Sequence, residues 1–265
     1  MRIGIMSCHV RRASRLKTRE RVLKENEIKQ KRDFVMSEHV LGRIPALKKV
    51  HPDTIARLEA YGTLKNVKKG TVLFRAREPV SRIFIQITGK SILYNLTRLG
   101  KRKILFILGP DKLLNENVSG ENNRAFYCET IENSRILEIP LDVFMSCMER
   151  DPDFAKAVLS SQEKKIWRLG HQLKNTMGHI YMERKLAAKL WKLQRDFGRQ
   201  TDEGIEILID LPITFLADMA GAPRETVSKA CKLLSDKGMI SIRKKRIIVV
   251  DPDMLSEFYH TGVIG

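Results

Sequence analysis

Arg224, Glu225, Ser228 and Lys229 stand together in the run RETVSK, and each can make a hydrogen bond that tells bases apart. Arginine and lysine donate to the O6 and N7 of guanine, glutamate accepts from the amino group of cytosine, and a serine hydroxyl is short enough to meet several base edges. Phosphate clamps and helix caps use the same residue types, and Arg224, in a first turn, suits either role. Val227, Ala230, Cys231 and Leu234 repeat at i, i+3, i+4 and i+7, so they mark the buried side of a helix. The polar four must then face outward, toward solvent or a DNA groove.

Presenting such a helix requires a corner before it and a support after it. FLADMA reads as a short helix, Gly221 can take the positive φ of a tight corner, Pro223 suits the first turn of the second helix, and Gly238 ends it. A hairpin follows from Ile240 to Val250, with Arg243, Lys244, Lys245 and Arg246 at its tip. Those four, with Thr226 and Lys232, form the expected phosphate-contacting set. The whole is the pattern of a winged helix–turn–helix, whose second helix enters the major groove N-terminus first.

Charge agrees with this placement. The chain of 265 residues has a formal net charge of +18, and residues 221–250 hold eight basic against two acidic side chains. Such a balance attracts polyanions. Residues 1–35 form a basic extension with few large apolar side chains, expected either to be a disordered arm or to precede the natural start at Met36. The sequence lacks an 18-residue apolar run and a signal-like leader, which predicts a cytoplasmic protein with no membrane partner. Cys8, Cys128, Cys147 and Cys231 form no CxxC pair, so buried thiols are expected in place of a disulfide, zinc or iron–sulfur framework.

Upstream, residues 51–61 read as a short amphipathic helix. Residues 66–140 alternate Val, Ile, Phe and Leu runs with turn signals about every ten residues, as in a sandwich or barrel. A long helix is expected from Phe154 to Met177 or past Ile180, with a dimer seam of Ile166, Leu169, Leu173, Met177 and Ile180, the alternative for this stripe being an ordinary core-facing helix packed on the barrel. Met182 to Phe197 reads as another helix, 198–204 as a polar loop, and Ile205 to Leu211 as a strand. The domains so drawn are a β sensor domain at 36–150, a dimerisation helix at 151–181 and a DNA-binding domain at 182–265.

Taken in order from Met36, the barrel entry KKGTVLFRAREPVSRIFIQITGK, a later strand pair, the long helix, FLADMAG and RETVSKACKLLSDKGMI resemble the cyclic-AMP receptor protein and fumarate–nitrate regulator (Crp/Fnr) family of bacterial transcription regulators. The resemblance implies an α+β chain with an N-terminal jelly-roll (double-stranded β-helix) domain of the cyclic-nucleotide-binding type, a long dimerisation helix and a C-terminal winged helix–turn–helix. It also implies a homodimer on an inverted repeat, with double-stranded DNA, a second copy and RNA polymerase as partners. Arg224 and Glu225 fall at its base-reading positions, while Ser228 and Lys229 stand where the family has a small residue followed by arginine. Lysine keeps the charge there and loses the bidentate fork.

The same resemblance points to an effector pocket at Glu116, Arg124, Ala125 and His171. Glu116 and Arg124 match the ribose acceptor and phosphate donor of the cyclic-AMP binders. Asn115 and Asp111 replace glycines, Ala125 replaces a serine, Gly170 and His171 replace base-reading hydroxyls, and Arg77 sits at a frequent turn glycine. Each change removes a close backbone approach or a hydroxyl, so a cyclic nucleotide is disfavoured, a different small effector or none is expected, and no cofactor is assigned. Two other classes stay in view: a cyclic-nucleotide sensor acting through protein contacts, and a cupin-like metal enzyme. The enzyme would need histidine and carboxylate ligands in the strands, yet 66–140 contains no histidine, so neither a metal site nor catalytic residues are expected.

Overall fold

In a computed structural model, which describes residues 39–174 and 181–263, the apolar runs after Tyr61 form eight strands. They are β1 (Thr63–Val67), β2 (Val72–Phe74), β3 (Arg82–Thr88), β4 (Ser91–Leu96), β5 (Arg102–Leu108), β6 (Lys112–Leu113), β7 (Tyr127–Thr130) and β8 (Ser134–Pro140). They build two antiparallel sheets, ordered β1-β8-β3-β6 and β2-β7-β4-β5. Phe74, Phe84, Leu93, Phe106, Cys128 and Ile136 meet between them.

The runs are nearly continuous in hydrophobicity because both sheets are covered on both faces. On β3, Phe84 points between the sheets, whereas Ile83, Ile85 and Ile87 point outward. There they meet α1 (Pro52–Tyr61), α2 (Leu141–Arg150) and the start of α3 (Pro152–Lys174) through Leu58, Phe144 and Phe154. On β4, Leu93 points inward, while Ile92 and Tyr94 point out and pack against the C-terminal part of the chain.

That part comprises α4 (Met182–Phe197), β9 (Gly198–Thr201), β10 (Gly204–Ile207), α5 (Ile213–Ala220), α6 (Arg224–Asp236), β11 (Ile240–Arg243), β12 (Arg246–Val249) and α7 (Pro252–Thr261). Residues 198–204, expected as a loop, contain a strand: β9 pairs with β10 and extends the wing into a sheet ordered β11-β12-β10-β9. GRQT carries no apolar alternation because β9 is an exposed edge. The strand expected to reach Leu211 ends at Ile207. Helix α7 was not foreseen. Asp251 caps it by accepting from the Met254 N–H at 2.8 Å, Pro252 opens it, and Leu255 and Phe258 bury against α4. The same Asp-Pro-Asp opening starts α3, where Asp151 accepts from the N–H groups of Asp153 and Phe154.

Arg77 and Asp111, non-glycine residues at expected glycine positions, both take left-handed backbone, with φ of 71° and 63°. The turn geometry has been kept although the residue best suited to it has not.

Candidate nucleic-acid interface

Helix α5 ends at Gly221, whose φ of 69° is left-handed and whose N–H returns to the Ala217 carbonyl at 2.8 Å. Pro223 is extended and α6 begins at Arg224, so the proline stands at the helix N-cap. Val227, Ala230, Cys231 and Leu234 bury in a core shared with Leu186, Leu190, Leu216 and Val249. Burial also pushes the Cys231 thiol up to about 11, which leaves it a packing residue without thiolate chemistry at neutral pH.

On the opposite side, Arg224, Glu225, Thr226, Ser228, Lys229 and Lys232 are exposed. No side chain caps the helix, and those of Arg224, Glu225, Ser228 and Lys229 have no hydrogen-bond or ionic partner among the described residues. The capping alternative for these residues therefore falls away. The wing turn holds Lys244 in left-handed backbone, φ 58°, and exposes Lys244 and Lys245. Its two arginines do not stand free as expected. Arg243 pairs with Glu203 at 2.6 Å and Arg246 with Asp210 at 3.5 Å, because β9 and β10 bring acidic residues beside the wing.

Helix α3 presents Leu159, Ile166 and Leu173, one heptad apart, at 57%, 68% and 66% exposure, with Trp167 beside them at 59%. Leu169, expected in this seam, turns instead into the β domain and packs against the core cluster that holds Phe84, Phe106 and Ile136. Met177 and Ile180 lie outside the described residues. Leu159, exposed seven residues before Ile166, is not among the residues expected there.

At the expected effector pocket, Glu116, Arg124 and Ala125 come together and His171 does not. The Ala125 N–H donates to Glu116 Oε1 at 2.6 Å, and the Arg124 guanidinium lies 4.0 Å from the Phe74 ring centre and donates to the Arg82 carbonyl at 2.9 Å. His171 is exposed and stacks on Trp167, with ring centres 3.9 Å apart, because it lies on the outward side of α3. The inward position is filled by Lys165, a residue the sequence reading passed over. Buried to 8% exposure, it donates to the Asn115 carbonyl at 2.5 Å, and burial pulls its pKa down to about 8 against the opposing pull of Glu116. Asn115 itself is fully buried and bonds to the Phe84 N–H and the Arg82 carbonyl. Glu116 Oε2 and Arg124 Nη1 are buried without a hydrogen-bond partner, which suits a polar guest, but Asn115 fills the space a glycine would leave and the expected hydroxyls are missing. The residues fit a cyclic nucleotide only in part.

The helix–turn–helix unit docks on the outer face of the β2-β7-β4-β5 sheet. Arg102 bridges Asp218 of α5 at 2.8 Å and Glu129 of β7 at 3.3 Å, Lys103 donates to the Met219 carbonyl at 2.8 Å, and Arg168 of α3 pairs with Asp196 of α4 at 3.3 Å. Ile92, Tyr94, Ile104 and Ile107 supply the apolar contact. Among the described residues, no three His, Cys, Asp or Glu side chains gather as a metal site, and no helix is long and apolar enough to cross a membrane. Cys128, Cys147 and Cys231 are free and buried, while Cys8 lies outside the described residues.

Fold and site together define a helix–turn–helix regulator carrying a β sensor domain. Residues 64–151 match the cyclic nucleotide-binding domain family and residues 184–258 the Crp-like helix-turn-helix domain family. The CRP-like cAMP-activated global transcriptional regulator of Mycobacterium tuberculosis is 24% identical over 220 residues, spanning 83% of this chain and 98% of that protein. The global nitrogen regulator of Synechococcus elongatus is 23% identical over 197 residues, 73% of this chain and 88% of the relative. Among solved structures, the c-di-GMP responsive global regulator CLP of Xanthomonas campestris superposes with a TM-score of 0.67 at 18% identity, covering 76% of this chain and all of that one. The chain belongs to the Crp/Fnr family of DNA-binding transcription regulators.

Proposed function

We propose that the protein works as a homodimer that reads an inverted-repeat DNA site with two copies of α6. The observation that carries this reading is the exposed set Arg224, Glu225, Ser228 and Lys229, unpaired among the described residues, on a helix anchored from behind. Pairing along Leu159, Ile166 and Leu173 would set the two helices about 34 Å apart, in successive major grooves. Arg224, Glu225, Ser228 and Lys229 read bases. Thr226, Lys232, Lys244 and Lys245 hold phosphates, with Arg243 and Arg246 available if DNA displaces their carboxylates. In this reading the protein is cytoplasmic and has no catalytic role, a small effector at the β domain shifts the DNA-binding unit between arrangements, and RNA polymerase is the partner on DNA. Selection from random duplexes followed by footprinting tests it. A protected palindrome with half-sites one helical turn apart is expected; the absence of any preferred sequence, with and without candidate effectors, overturns it.

A further inference from the structure

Where β5, α3, α4 and α5 meet, a cleft of about 340 Å³ opens between the β domain, the long helix and the DNA-reading unit. A volume of this size lies within the range of small-molecule sites. Phe106, Leu169, Leu193 and Phe197 supply apolar wall, and Lys103, Arg168, Lys185, Lys189 and Lys192 face Asp196 as the one acid in the lining. Asp196 is already engaged by Arg168 at 3.3 Å and lies 4.0 Å from Lys192, and Lys103 is spent on the Met219 carbonyl. The ammonium groups of Lys185 and Lys189 have no hydrogen-bond or ionic partner among the described residues.

We propose that this cleft binds a small amphipathic anion, a carboxylate or phosphate monoester on an alkyl or aryl body, with its head group held by Lys185 and Lys189. Like charges gathered beside an apolar wall are costly unless an opposite charge joins them. That cost is visible in the titration of the cluster: burial, then Lys103 and Lys192, pulls Lys189 down to about 8, and Lys103 and Lys192 are lowered by burial and their cationic neighbours Lys185 and Arg168. An anion restores the protonated forms and brings an apolar body for the remaining wall. Polyanionic DNA would satisfy the charges and leave that wall bare. The cleft is separate from the Glu116–Arg124–Lys165 cluster inside the β domain. Its occupant would touch three units at once, so it could fix their relative arrangement.

Calorimetric titration of the full-length protein with octyl phosphate, octanoate, octanol and octylammonium tests the proposal without DNA. Both anions are expected to bind at least about tenfold more tightly than octanol, and octylammonium more weakly still. Lys189→Met and Lys185→Met should each weaken octyl phosphate about tenfold and leave octanol unchanged, while Ala188→Phe, which narrows the cleft, should weaken all of them. Lys189→Met removes a half-buried charge, so its folding is not at risk. Equal binding of octanol and octyl phosphate, no measurable heat with either anion, or an unchanged affinity in both lysine variants overturns the proposal. Footprinting on the same preparations reports DNA reading separately, so either conclusion can fail without the other.

Discussion

Replacing Lys189 with methionine should stabilise the protein at neutral pH, although it deletes a charge and adds no hydrogen bond. Lys189 lies half-buried on α4, facing Lys185 and Lys192 of its own helix, Lys103 of β5, and the Arg168–Asp196 pair between α3 and α4. Its folded pKa is about 8 against an ordinary 10.5, through burial and then the repulsion of Lys103 and Lys192. Below pH 8 the amine is protonated in both the folded and unfolded chains, and the fold bears the full penalty. Between 8 and 10.5 the folded chain gives up the proton first, so the penalty shrinks as pH rises, and above 10.5 it vanishes. The displacement corresponds to at most about 3 kcal/mol, and partial hydration of the ammonium reduces this to about 1–2 kcal/mol. Urea unfolding of wild type and Lys189→Met in parallel at pH 7 and pH 10.5 measures it, other titrations cancelling in the difference. A gain of about 1–2 kcal/mol at pH 7 that fades toward zero at pH 10.5 is expected. No gain at pH 7, or one that persists undiminished at pH 10.5, would refute the electrostatic reasoning, the second outcome pointing to methionine packing instead.

Glu225→Ala should relax discrimination at one base pair by about 1–3 kcal/mol while leaving affinity for random DNA nearly unchanged; competition binding with single-substituted sites reads this, and equal losses on specific and random duplexes would remove Glu225 from the base readers. Lys244→Ala should weaken binding evenly across sequences and reduce the salt slope by about 1, measured by titrations over a range of salt concentrations. Ile166→Glu, at 68% exposure on α3, should convert dimer to monomer by sedimentation without lowering the melting temperature of the β domain, since nothing in the monomer's core is disturbed. Arg77→Gly should raise stability by up to about 1 kcal/mol, the relief of left-handed backbone exceeding the entropy glycine adds to the unfolded chain; thermal melts check the sign.

Helix α6 was legible because its two faces obey one period and its corner is marked by Gly221 and Pro223. The β domain was legible in its turns, yet its layering was not, since Ile83, Ile85 and Ile87 cover one face and Phe84 the other, and only tertiary packing says which cover each meets. Sequence could not separate Leu169 from Leu173. Both fit helical spacing, and what distinguishes them is that the β domain occupies the side on which Leu169 stands. Lys165 was hidden for the opposite reason: a lysine on a polar stripe reads as solvated, and its burial depends on the Asn115 carbonyl, 50 residues away in the chain. Strand β9 escaped notice because an edge strand with exposed faces needs no apolar alternation. Arg243 and Arg246 read as free cations for the same reason, as the acids that claim them lie on segments whose placement β9 and β10 decide.

The polar bridges at the docking surface also bear on where a signal can enter. Arg102 reaches Asp218 of α5, Lys103 the carbonyl of Met219, and Lys69 pairs with Asp210 at 3.3 Å. Each therefore ends on the first helix of the motif or the segment just before it, and none holds the exposed face of α6. The helix–turn–helix unit can thus be repositioned on the β domain without disturbing the outer face of α6. Partly exposed bridges of this kind contribute about 0–1 kcal/mol each, so the apolar contact through Ile92, Tyr94, Ile104 and Ile107 supplies most of the attachment. A ligand that favours one arrangement over another by a few kcal/mol is enough to shift such an equilibrium decisively. Lys103 is the shared element: it lines the junction cleft, its ammonium holds the end of α5, and its Nζ lies 2.8 Å from where a side chain on Gly221 would begin. An anion held by Lys185 and Lys189 would therefore stand beside the support of that corner and away from the outer face of α6.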